Sequence, residues 1–111
     1  MKKIYKMESK PEPHPLNHGK DIPQLLIAWI SSNFTQTIKD DAINLIHERD
    51  NYGYKKYGQH LMSEDGRNTI EDARQELGDL LQYVFKAKIN NEDISKIRDL
   101  LPILNKLIFE P

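Results

Sequence analysis

The sequence predicts an all-α protein, a small bundle of about four helices. Three observations carry that expectation. Apolar residues recur at three- and four-residue intervals over four stretches, and polar capping residues stand just ahead of them. No glycine-framed run of alternating β-branched residues reads as a strand. At 111 residues the chain has room for one domain with a modest core, assigned to residues 21–111, with residues 1–20 as a flexible N-terminal arm.

The arm is assigned from KPEPHP, whose three prolines lack backbone donors and push their neighbours toward extended geometry. His14 and His18 lie four apart there, but on a proline-broken loop that spacing makes no helical metal pair. The first helix is expected from Asp21 to about Asn33, with Asp21 as cap, Pro23 in the first turn and Gln24 completing a capping box. Its LLIAWI run is apolar nearly all round, so the helix should be buried, and Trp29 is most simply a core residue.

A second helix is expected from about Thr35 to Tyr52, carried by Phe34, Ile38, Ala42, Leu45 and Tyr52. Gly53 and Gly58 then punctuate NYGYKKYG, and either can take the left-handed conformation of a helix end. A loop with an Asp65-Gly66 turn follows. The third helix opens near Asn68 or Thr69, where NTIE and TIED pair a polar cap with an acid three residues on, and it ends at about Ile89 before Asn90 and Asn91. The fourth segment carries a seam of Ile94, Ile97, Leu101, Leu104 and Ile108. Pro102 interrupts it and requires a kink or a restart.

Composition removes several function classes. Sixteen basic and seventeen acidic residues leave a net charge of −1, so there is no general attraction to a nucleic-acid polymer or an anionic membrane. With no cysteine, there is neither a disulfide framework nor a thiolate site, which reads as a cytoplasmic protein. The apolar runs are too short to span a bilayer, and the N-terminus lacks the apolar segment of a secretory signal.

The chemistry-bearing pattern lies in EDARQELGDLLQYV. At 100° per residue, Asp72, Glu76, Asp79 and Tyr83 fall within an arc of about 60°, beside the apolar arc that includes Leu77, Leu81 and Val84. Two carboxylates one turn apart repel by about 3 kcal/mol at an effective dielectric of 20, unless water screens them or a cation lies between them. The second helix repeats the layout, with Asp41, Asn44, Glu48 and Asn51 in an arc of about 80° beside Ile38, Leu45 and Tyr52.

Packing the two apolar stripes together would bring both oxygen-rich edges to one seam. Hard oxygen ligands without cysteine or a placed histidine suit Mg²⁺ or Mn²⁺ better than zinc. A ferritin-like di-iron centre is disfavoured, since no Glu-x-x-His occurs. Acids bordering a helix core are usually just solvated, and spacing alone favours that reading over a metal site. His47 and His60 have no partner at a useful spacing and are expected at the surface.

Over about Asp41 to Lys88 the chain resembles the all-α nucleotide pyrophosphohydrolases of the MazG-like superfamily, whose motif is ExxE on one helix and ExxD on the next, often followed by a tyrosine. Glu76-Leu-Gly-Asp79 matches the second half, Tyr83 falls one turn on, and KYG at 56–58 and DGR at 65–67 precede it. The first half departs from the pattern, because Asn51 follows Glu48 at the third place and Asn44 follows Asp41.

The resemblance implies a Mg²⁺-dependent enzyme, with Mn²⁺ as a substitute, that cleaves a (d)NTP to the monophosphate and pyrophosphate. Glu48, Glu76 and Asp79 would be catalytic metal ligands, with Asp41, Asn51 and Asp72 as further candidates. Lys55, Lys56 and Arg67, in the loop between the acidic helices, would meet the phosphates, and Tyr83 the sugar or base. The apolar first helix and fourth seam point to a homodimer or homotetramer. The alternative is a non-catalytic helical module that binds a nucleotide or a protein partner.

Overall fold

The computed structural model describes residues 14–110, and they are helical, as expected, with no strand among them. Helix α1 spans Ile22–Asn33, α2 Gln36–Tyr57, α3 Thr69–Ile89, α4 Ser95–Arg98 and α5 Leu101–Phe109. The arm expected at residues 1–20 lies outside the described residues over 1–13.

Most helix ends form where the sequence places them. Asp21 accepts from the backbone N–H of Gln24, and Pro23 sits in the first turn of α1. Asn68 caps α3 through its side chain, which accepts from Glu71 N at 3.0 Å, and the first-turn acids Glu71 and Asp72 face the positive end of the helix dipole. In the fourth segment Pro102 produces a restart: α4 is a single turn, and α5 begins with the proline where no N–H is needed.

The expected end of α2 at Tyr52 is wrong. The helix runs five residues further, to Tyr57, because Gly53 stays helical and Gly58 alone takes the left-handed conformation at φ 74°, donating its N–H to Tyr54 O. Lys55 and Lys56 therefore stand in the last helical turn, where cations suit the negative dipole end, and not in the loop.

Residues 16–22 are tied to the loop after α2. Leu16 N donates to Asp65 O at 2.8 Å, Ile22 N to Leu61 O at 2.9 Å, and Ser63 N to Lys20 O at 2.9 Å. Side chains add to the tie: Gln59 Nε2 donates to Leu16 O, and Ser63 Oγ accepts from Lys20 N. Asp21 and Met62 pair as an isolated antiparallel bridge. Pro15, next to this segment, is buried.

Only two residues separate α1 from α2, so the helices lie side by side, and theirs is the one extended helix packing among the described residues. Ile30 and Ala42 are the buried hydrophobic residues there. Trp29, expected in the core, is only partly buried, edge-on to Phe34 at 5.7 Å between ring centroids. The apolar first helix is likewise covered only in part: Leu25 remains half exposed.

The stripes of α2 and α3 do not pack on one another along their length within the chain. As a result α3 contains no buried residue, and Ile70, Leu81, Phe85 and Ile89 are each more than 60% exposed. On α5, Phe109 is 75% exposed. The radius of gyration, 16.0 Å, exceeds the roughly 13 Å of a closed domain of about 100 residues.

Candidate functional site

Helix α3 places Glu76 and Asp79 three residues apart on one exposed face. Among the described residues neither carboxylate has an ion pair or side-chain hydrogen bond, and the same holds for Glu48 on α2. Asp41 and Asn51 are exposed beside Glu48. Tyr83, one turn beyond Asp79, is 68% exposed and does not pack into a core.

The single-chain seam expected from the helical patterns is absent: among the described residues no three His, Asp or Glu side chains group closely enough to hold a metal ion. The reason is the course of the chain after Gly58. The loop 58–68 is held against residues 16–22, and α3 leaves it without lying along α2.

Asp72, offered as a further ligand, sits apart from Glu76 and Asp79 in its surroundings. It is half-buried, 3.9 Å from Arg67 Nε, and lines a cavity formed with α1 and α2. Arg67 is largely covered, with its guanidinium 5.8 Å from the Tyr57 ring centroid. Lys56 Nζ lies 5.2 Å from the same ring, while Lys55 is exposed on the last turn of α2. The three cations assigned to one loop therefore occupy two elements.

The sequence reading missed one polar pair. Asp50, on α2, holds His60 in the following loop: His60 Nδ1 lies 2.8 Å from one carboxylate oxygen and 3.0 Å from the other. The hydrogen bond to Asp50 raises the imidazole pKa above its usual value near 6.5. Tyr54 tilts against the ring at 4.7 Å. Ten residues separate the partners, and they sit on different elements, so no helical spacing announces them. His60 stays partly exposed, as expected of a surface residue, and the partner it has is one that sequence spacing did not reveal.

The DGR motif is a structural corner. Asp65 is buried, its side chain accepts from Arg67 N at 3.0 Å, and its backbone carbonyl receives Leu16. No helix among the described residues is long and apolar enough to cross a membrane. No family model matches the chain, and no curated protein or solved structure matches it either.

Proposed function

We propose that the protein is a Mg²⁺-dependent nucleoside triphosphate pyrophosphohydrolase that acts as a homo-oligomer. The observation that carries the reading is the unpaired, exposed carboxylates of Glu76 and Asp79 bordering an apolar stripe that the chain itself leaves uncovered.

Like charges one turn apart are tolerated when water or a cation screens them. These acids border Leu77 and Leu81, which are 49% and 64% exposed. A second copy that covers that stripe also confines the acids beside it and makes a counter-ion valuable. The same copy supplies what one chain lacks, a second oxygen-rich edge from α2 with Glu48, Asp41 and Asn51. The donor set fits Mg²⁺ or Mn²⁺, being made of hard carboxylate and amide oxygens with no thiolate.

In this reading Glu48, Glu76 and Asp79 would hold the ion, which would supply charge neutralisation at the phosphates and acidify the attacking water. Whichever carboxylate is not fully committed accepts that water's proton. Lys55 and Lys56, exposed at the end of α2, would meet phosphate oxygens. Tyr83 lies on the acidic arc and can meet sugar or base.

The test is release of pyrophosphate from each (d)NTP with Mg²⁺. Turnover that disappears in Glu76→Ala, while the helical spectrum is kept, supports the reading. Turnover unchanged in that variant refutes the role of Glu76, and nucleotide binding without any release favours the non-catalytic module.

A further inference from the structure

A cavity of about 320 Å³ opens between the start of α1, the C-terminal half of α2 and the loop that follows. We propose that it is a binding site for a neutral, flat heteroaromatic molecule of one or two rings, of the size and chemistry of a nucleobase.

On α2 the cavity wall turns away from the acidic arc, while Asp72 of α3 belongs both to the lining and to the acidic stripe. Taken at 100° per residue, Ile46, Asp50, Gly53 and Tyr57 of its wall lie about 170° around α2 from the arc of Asp41, Glu48 and Asn51. Its volume is at the small end for ligand pockets and equals that of about ten waters, which suits a compact ring system.

The lining selects a ligand with apolar faces and a polar edge. Pro15, Ile22, Pro23, Leu26 and Ile46 form apolar walls, and Tyr57 adds an aromatic face. Polar residues complete the lining. His60 has committed Nδ1 to Asp50, which leaves Nε2; Gln59 has committed its amide nitrogen to Leu16 O, which leaves its carbonyl oxygen. A wholly apolar occupant would desolvate these groups without replacing their hydrogen bonds.

Charge argues for neutrality. The lining carries two guanidiniums, Arg49 and Arg67, against the three carboxylates of Asp50, Asp65 and Asp72, so its formal charge gives no surplus for a free phosphate and only a slight one for a cation.

Gly53 lies on the cavity wall. A glycine inside a helix costs up to about 1 kcal/mol relative to alanine, and a Cβ added here would meet nothing within 4 Å. Crowding therefore does not require glycine at this wall. A larger side chain at this lining position has open space to enter.

The test is a backbone amide NMR titration of the full chain with adenine, uracil, indole and inorganic phosphate. Saturable shifts at Gly53, His60 and Leu61 with adenine or uracil, at lower concentration than indole and absent with phosphate, support the site. Gly53→Leu should abolish them while leaving the thermal midpoint unchanged or raised. If that variant loses helicity, Gly53→Ala should weaken binding severalfold. Glu76→Ala should leave binding intact, which separates this site from the proposed hydrolytic one. The proposal is overturned if neither heterocycle gives saturable shifts, if indole binds equally well, if phosphate shifts the same amides, or if binding survives Gly53→Leu.

Discussion

His60 Nδ1 reaches both carboxylate oxygens of Asp50, at 2.8 and 3.0 Å, and so ties the loop after α2 back to the helix it has just left. Because the imidazole pKa is raised in the fold, the pair stabilises the protein fully below about pH 6.5, and that contribution fades as pH rises through the folded value. Asp50→Asn should lower the His60 pKa, measured by ring-proton NMR, and flatten the pH dependence of the thermal midpoint above pH 6.5. An unchanged pKa in that variant would contradict the pairing.

Asp93 shows the opposite sign. Its side chain accepts from Ser95 N at 2.9 Å at the start of α4, and this bond lowers its pKa from the usual 3.8. The stabilisation is present above that value and lost as pH falls through the folded pKa. Asp93→Asn should remove this acid dependence, read as a smaller drop in thermal midpoint between pH 5 and pH 3.

Two glycines should respond in opposite ways. Gly19 sits at φ 90°, and a Cβ there would come within 2.9 Å of Glu64 N, so Gly19→Ala should cost about 2 kcal/mol or more in denaturant unfolding. Gly53→Ala should gain up to about 1 kcal/mol in the same assay, since the methyl enters open space.

Glu76→Ala and Asp79→Ala should each reduce pyrophosphate release at least about a hundredfold if the acids hold the ion. Neither should lower stability, because both side chains are exposed and unpaired, and removing one relieves repulsion along the stripe. A matched loss of helicity would make the effect structural.

Leu81 is 64% exposed in the middle of the uncovered stripe of α3. If that stripe is the interface of the proposed homo-oligomer, Leu81→Asp should shift the protein from an oligomer to a monomer in light scattering and abolish turnover with it. An assembly that survives the substitution would place the interface elsewhere.

Local chemistry was the part of the fold legible from sequence. Asp21, Asn68, Gly58 and Pro102 each act through their own backbone neighbourhood, so caps, stop and restart can be read residue by residue. The end of α2 was misjudged because a glycine's freedom does not decide whether it uses it, and Gly53 does not. The acidic stripes were readable as helix faces. Their meeting was not, since it depends on the direction in which α3 leaves the loop. The Asp50–His60 pair was hidden for a related reason: only the return of the loop brings the partners together.

The hydrogen bonds joining residues 16–22 to 61–65 close a long ring of chain around α1 and α2. That ring has a consequence for how the molecule comes apart. Amides within residues 16–65 should exchange with solvent as one cooperative block, whereas in an isolated chain those of α3 and α5, which bury no residue, should exchange earlier and independently. Assembly would then slow exchange chiefly in the second half of the chain.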